Sequence, residues 1–146
     1  MRGAAAAPPE ILEAERAFAL SAQGLDPQTL SVRFEIADGY YLYRDKLNFS
    51  VSPGNLAAPI APPGKIKEDQ FFGKVETYRG RLQMELTLDA PRPGSAVTLV
   101  VESQGCADVG VCYPVQRQTL AVPLPRPGER PAPLVEAAPR RKSWFN

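Results

Sequence analysis

Histidine is absent from this 146-residue chain, and cysteine occurs only twice. Without an imidazole there is no Ser-His-Asp triad, no Cys-His dyad and no histidine metal ligand. Two thiols fall short of a four-thiolate zinc site. Excess charge is also missing: 17 Lys+Arg against 16 Asp+Glu leaves +1, which gives no bulk attraction to nucleic acid. No run nears 18 consecutive apolar residues, so no stretch reads as a membrane-spanning helix. Neither G-x-x-x-x-G-K-[ST] nor G-x-G-x-x-G occurs, and nucleotide binding has no support. Helix is nearly absent, with only residues 10–18 (EILEAERAF) able to form a turn or two. For chemistry, the two sulfurs are what is left.

What the chain does have is proline and alternation. Sixteen prolines are roughly twice the usual share. Leu30, Val32, Phe34 and Ile36 alternate with Ser31, Arg33, Glu35 and Ala37. The same period of two runs through Leu47, Phe49 and Val51; through Leu82, Met84, Leu86 and Leu88; through Val97, Leu99 and Val101; and through Leu120 and Val122. Such a period buries one face of a strand and wets the other. Turn signals separate the runs: Asp38-Gly39, Pro53-Gly54, Pro62-Pro63-Gly64, Tyr78-Arg79-Gly80 and Pro93-Gly94. The pattern predicts an all-β, antiparallel β-sandwich of immunoglobulin-like type.

Three regions follow. Residues 1–9 read as a flexible N-terminal segment, small and Pro-rich, without the apolar core of a secretory signal. Residues 10–124 form the folded domain. Residues 125–146 hold five of the prolines, and five basic residues against two acidic give them a charge of +3, leaving −2 elsewhere. They read as an extended linker or tail, either disordered or a tether to a membrane segment with Arg140, Arg141, Lys142 and Trp144 near the interface.

Cys106 and Cys112 lie in QGCADVGVCYP, between a strand ending near Ser103 and another starting near Arg117. They therefore span a hairpin-like connection, and Gly105 and Gly110 permit the backbone angles of a short disulfide loop. Spacing alone leaves two readings open. One is a structural staple in an extracytoplasmic binding module; closing a loop of about 7 residues contributes roughly 2.4 kcal/mol in the chain-entropy model. The other is a redox-active pair, for which C-x5-C is no signal in its own right. A third and weaker reading adds Met84 to the thiolates as a Cu(I) carrier; Met84, however, is in phase with the core positions Leu82, Leu86 and Leu88.

Beyond spacing, QGCADVGVCYP, DGYYLYRDKLNFS (38–50) and EDQFFGKVETYRGRL (68–82) together resemble the N-terminal periplasmic domains of the DsbD family of thiol:disulfide interchange proteins. The three motifs come in the family's order and cover roughly residues 16–124. The resemblance implies an immunoglobulin-like domain whose Cys106 and Cys112 form a reversible disulfide, acting without a cofactor as a thiol-disulfide oxidoreductase in the periplasm, as part of an inner-membrane protein. It implies a thioredoxin-like C-terminal domain of the same protein as electron donor. Periplasmic disulfide isomerases and cytochrome c maturation thioredoxins would be the recipients. By the same resemblance, Cys112 would form the mixed disulfide with the thioredoxin-like partner, and Cys106 would be the resolving thiol.

The resemblance also gives the flanking residues roles. The family's cap loop matches EDQFFG, so Phe71 would lie over the disulfide with Asp69 and Gln70 beside it, and Tyr41 and Tyr43 would adjoin the sulfurs. An aromatic lid shields a disulfide by sterics and swings away when a partner docks; Gly73 and the polar run 67–70 suit a loop that moves. Phe71 and Phe72 read otherwise as core residues of a strand, Asp69 as a solvated acid, and Tyr41 and Tyr43 as ordinary strand aromatics beside Tyr40. One of Phe71 and Phe72 is expected to be the lid and the other its anchor. Asp69 would tune a thiol pKa or accept a proton during exchange. Two departures from the family pattern stand out: Gln70 where a second acid is expected, and Val115 where a second proline is usual. With no histidine or helix N-terminus at hand, control of reactivity is expected to come from access.

Overall fold

The alternating runs become strands in the computed structural model, which describes residues 11–137. A single helical turn, α1 (Ala14–Ala17), leads into β1 (Phe18–Asp26), β2 (Thr29–Ile36), β3 (Tyr40–Tyr43), β4 (Asn48–Ser52), β5 (Lys65–Asp69) and β6 (Gly73–Tyr78). β7 (Arg81–Thr87), β8 (Ala96–Ser103), β9 (Gly105–Ala107), β10 (Val111–Cys112), β11 (Gln116–Pro123) and β12 (Val135–Glu136) complete the elements of the described residues. All pairings are antiparallel, in sheets ordered β12-β1-β2-β7, β11-β8-β4 and β10-β9-β3-β6-β5. This is the antiparallel immunoglobulin-like sandwich expected from the alternation.

The first two sheets share the main core. On one, Leu30, Val32 and Phe34 lie opposite Leu86, Met84 and Leu82; on the other, Leu99 and Val97 lie opposite Leu120 and Val122, and all of these are buried in one cluster. Burial of these apolar side chains, each contributing about 1.5–3 kcal/mol, is the main source of stability. Met84 is 5% exposed, in this core and not in the cluster that holds Cys106; it is a packing residue.

The third sheet carries the site, and β3 is its pivot. Its four residues Tyr40–Tyr43 are all buried, because both faces of the strand are covered. Leu42 and Tyr40 join the main core, whereas Tyr41 and Tyr43 point the other way and form a separate small cluster with Cys106. Period two in a strand produces this division.

Two segments differ from the sequence reading. The polar run 67–70 is not a loop: residues up to Asp69 belong to β5, an edge strand rich in lysine and acid, as exposed sheet edges often are. The cap loop is thus the three-residue tip 70–72 of the β5–β6 hairpin. The tail also does not simply leave the domain. Val135 and Glu136 pair with Ala22 and Ser21, Ala132 is buried and its N–H donates to the Gly24 carbonyl at 2.8 Å, so the chain up to 137 covers the outer edge of β1. Residues 1–10, and Arg140, Arg141, Lys142 and Trp144 with their suggested membrane proximity, lie outside the described residues.

Candidate functional site

Cys106 sits on β9 and Cys112 on β10, directly opposite each other in the register, and the two form a disulfide with Cα atoms 4.0 Å apart. β9 is also paired to β3, which sets Tyr41 opposite Cys106. The sulfurs are not equivalent. Cys106 is 0% exposed, whereas Cys112, on a two-residue edge strand, is only half-buried.

The two glycines of the loop serve different needs. Gly110 has φ +104°, a left-handed conformation open to glycine, in the turn that reverses the chain. Gly105 is instead a close-approach site: a Cβ there would meet the Tyr41 carbonyl oxygen and stand 2.6 Å from the Phe18 ring. Sequence reasoning ascribed backbone freedom to both; only Gly110 uses it.

Around the sulfurs, one carboxylate organises everything. Asp69, at the end of β5, is 5% exposed. Its Oδ2 accepts the hydroxyls of Tyr41 (2.6 Å) and Tyr43 (2.8 Å), and its Oδ1 accepts the backbone N–H groups of Phe71 (2.7 Å) and Phe72 (2.9 Å). Burial alone would raise this carboxyl's pKa, but the four donors outweigh it and hold it below the usual carboxylate value. It is therefore an ionised, fully satisfied anion and not a solvated loop acid. The tyrosines respond in the opposite sense. Burial and then the hydrogen bond to Asp69 push Tyr41 up to about 12 and raise Tyr43 further, so both stay protonated donors.

Tyr43 connects this anion to the sulfurs. Its hydroxyl oxygen lies 2.9 Å from Cys106 Sγ and 3.6 Å from Cys112 Sγ. The hydroxyl has one proton, and the carboxylate is the stronger acceptor. A lone pair of the Tyr43 oxygen is thereby turned toward Cys106, ready to accept from that residue's thiol in the reduced state. Cys106 Sγ, the Tyr43 hydroxyl and the Asp69 carboxylate thus lie in order along one short polar path.

The cap rests on this frame. Phe72 packs edge-on against Tyr43, with centroids 5.1 Å apart, and Lys46 lies 5.0 Å above its ring. Phe71 is 52% exposed and Phe72 49% exposed, so neither is a core residue. Gln70 reaches across from the cap, its Nε2 lying 3.3 Å from where a Cβ of Gly110 would be. Gly73 follows as the first residue of β6, opposite Asp69. Tyr41 and Tyr43 meet edge-on at 5.6 Å.

Several neighbours carry no sequence signal. Arg79, after β6, makes a two-pronged ion pair with Asp108 of the disulfide turn (3.0 and 2.7 Å) and covers the Tyr41 ring at 5.2 Å. Lys67 covers the same ring at 5.1 Å, and Val75 packs into the Cys106 cluster. Asp108 in the C-x5-C loop was visible as an acid, but its partner 29 residues away was not. Among the described residues no group of three or more Cys, Asp or Glu side chains is arranged to hold a metal ion.

The family model for the N-terminal part of the thiol:disulfide interchange protein DsbD matches residues 8–124. Among full-length relatives, the chain is 44% identical over 133 residues to the thiol:disulfide interchange protein DsbD of Ralstonia nicotianae, covering 88% of this chain and 22% of that one. It is 39% identical over 115 residues to that of Escherichia coli K12, covering 79% and 20%. The chain thus spans about a fifth of the length of these relatives. Among solved structures, the N-terminal domain of Neisseria meningitidis DsbD in its reduced form superimposes with a TM-score of 0.75 at 31% identity, over 88% of this chain and 96% of that one. A second Neisseria meningitidis structure, of the DsbD N-terminal domain in complex with the PilB N-terminal domain, gives a TM-score of 0.66 at 33% identity, over 77% and 88%.

Proposed function

The chain belongs to the family of DsbD N-terminal domains, proteins of thiol:disulfide interchange, and on that premise we propose that Cys106 and Cys112 form a reversible, cofactor-free redox pair that passes electrons between two dithiol proteins. The observation that carries this reading is the asymmetry of the sulfurs: a half-exposed Cys112 joined to a fully buried Cys106 that touches the Tyr43–Asp69 path.

Reduction runs in two displacements. A thiolate of a thioredoxin-like donor attacks Cys112 Sγ, the Cys106–Cys112 bond breaks, and Cys106 leaves as a thiolate that takes up a proton. The donor's second thiolate then attacks its own sulfur in the mixed disulfide. That releases Cys112 and leaves the donor oxidised, with two electrons transferred. In the forward direction the Cys112 thiolate attacks the disulfide of an acceptor protein, and the Cys106 thiolate resolves the mixed disulfide, regenerating the Cys106–Cys112 bond. Tyr43 positions Cys106 between the steps: its oxygen accepts from the protonated Cys106 thiol while its own hydroxyl proton stays directed at the Asp69 carboxylate.

The donor would be a thioredoxin-like C-terminal domain of the same polypeptide, and the acceptors periplasmic disulfide isomerases and cytochrome c maturation thioredoxins. The domain would work in the periplasm, as part of an inner-membrane protein. The complex of the Neisseria relative with the PilB N-terminal domain supports a protein partner for this domain. Phe71 acts as the shield of the sulfurs, Phe72 as its anchor on Tyr43, and Gln70 as the polar contact between cap and disulfide turn.

Equilibration of the chain in thiol buffers of graded potential tests the function. A redox shuttle has a midpoint above about −300 mV, near that of its partners; a value below that marks a structural staple and would overturn the proposal in favour of a binding module.

A further inference from the structure

Tyr113 directly follows the accessible cysteine, and nothing in the exchange mechanism so far uses it. Its ring is on the opposite side of β3 from the sulfurs, stacked on Tyr40 (6.4 Å, 28°) and edge-on to Phe18 (5.7 Å, 88°). Its hydroxyl donates to the Leu12 carbonyl, and the Leu12 N–H donates to the Tyr40 hydroxyl at 2.9 Å. Its own N–H donates to the Gly105 carbonyl at 3.0 Å, and its carbonyl accepts from the Gln104 side chain at 3.1 Å. Every polar group of Tyr113 is therefore bonded: to Leu12, 101 residues away, and to Gly105 and Gln104 just before the disulfide loop.

The strand it terminates needs such a hold. β9 is paired on both sides, to β3 and to β10, whereas β10 has two residues and, among the described residues, pairs only with β9. Cys106 is fixed by its sheet; Cys112 has no comparable ladder of its own.

We propose that Tyr113 is a positioning residue for disulfide exchange, fixing the backbone after Cys112 to Leu12 and Gly105 and so setting how closely the Cys112 sulfur is held to Cys106. The inference rests on the redox reading above. In the resolving step the Cys106 thiolate attacks Cys112 Sγ, the Cys106–Cys112 bond re-forms and the partner departs as a thiolate. The ease of that step follows the effective concentration of one sulfur at the other, and so does the midpoint potential of the pair. The clasp also makes the segment before α1, through Leu12, a contributor to the potential.

The test compares Tyr113→Phe, Tyr40→Phe and Tyr78→Phe in the whole chain. Each removes one hydroxyl and keeps the ring. Tyr78 serves as control because its hydroxyl, bonded to the Pro62 carbonyl at 2.5 Å, is structural and has no link to Cys112. Midpoint potential and thermal unfolding are measured for each. Tyr113→Phe is expected to lower the effective concentration about threefold, a shift of roughly 14 mV toward less negative potential at 29.6 mV per decade. Tyr40→Phe, which removes the acceptor for Leu12 and a hydroxyl partner of Tyr113 but keeps the Tyr113 bond to Leu12, is expected to shift it in the same direction by less. Tyr78→Phe is expected to lower the unfolding temperature and leave the potential at the wild-type value. Wild-type potentials in both clasp variants, or an equal shift in Tyr78→Phe, would overturn the inference. A wild-type pair that stays oxidised at the potentials of thioredoxin-like dithiols would overturn the redox reading instead, and is recognised before any variant is made.

Discussion

The two faces of β3 are built from alternate residues of one four-residue strand, yet they follow different physics. Leu42 and Tyr40 enter a large core of aliphatic side chains, held by area removed from water. Tyr41 and Tyr43 enter a cluster of three buried residues whose cohesion is one carboxylate with four donors. The first face tolerates change gradually, because many small contacts share the load. The second depends on a few directed bonds around an ion, where removing one partner leaves the others unsatisfied. Stability is concentrated on one face and, in the proposed function, reactivity on the other, and variants separate the two.

The widest separation comes from pairing Cys112→Ser with Leu99→Ala. Cys112→Ser is expected to abolish exchange with dithiol partners while lowering stability by no more than about 2.4 kcal/mol, the value of the small closed loop. Leu99→Ala, in the apolar core, is expected to cost about 2–5 kcal/mol and to leave the exchange rate per folded molecule unchanged. Denaturant unfolding and thiol-exchange assays on both variants check this. A core variant that loses exchange in proportion to its stability would merge the two faces.

Asp69→Asn comes next. Replacing the ion with an amide removes charge-assisted bonds to Tyr41, Tyr43 and the cap, and a loss of about 2 kcal/mol is expected. The pH dependence has a definite sign. Because Asp69 is held below its ordinary value of 3.8, its contribution is complete above that value and is lost as pH falls below it, through the lower folded value. Wild-type stability should thus show an acid-side decline that Asp69→Asn lacks; parallel acid curves for the two would contradict the role of the carboxylate.

A smaller effect is expected from Phe71→Ala. If its half-exposed ring shields the sulfurs as proposed, removing it should speed attack on the disulfide by small thiols several-fold, with little change in unfolding free energy, as read by kinetics with a low-molecular-weight thiol. Equal rates would mean that Phe71 is no shield.

The same contrast explains what the sequence disclosed. The apolar face was legible because burial of a strand leaves period two in the chain, as in Leu30–Ile36 and Leu82–Leu88, and turn residues separate the runs. The sulfurs stood out by elimination, but Tyr41, Tyr43, Asp69 and the cap were reachable only through resemblance to a family, since their contacts join positions 26 to 69 residues apart. β5 was hidden because an edge strand is charged, and β12 because its two residues lie in a proline-rich stretch. Arg79 on Asp108, Lys46 on Phe72 and the Tyr113–Leu12 clasp leave no local trace, because each is an accident of three-dimensional proximity and not of period.

The central claim is that Cys112 is the sulfur that meets the partner and Cys106 the one that resolves. Trapping tests it most directly: the Cys106→Ala variant is incubated with a thioredoxin-like domain lacking its own resolving cysteine, one of the two proteins having been activated as a mixed disulfide with a small aromatic thiol. A stable covalent complex through Cys112, dissolved by excess reductant and absent with Cys112→Ser, is the predicted result. The same complex formed equally well through Cys106 in a Cys112→Ala variant, or no complex at all, would contradict it.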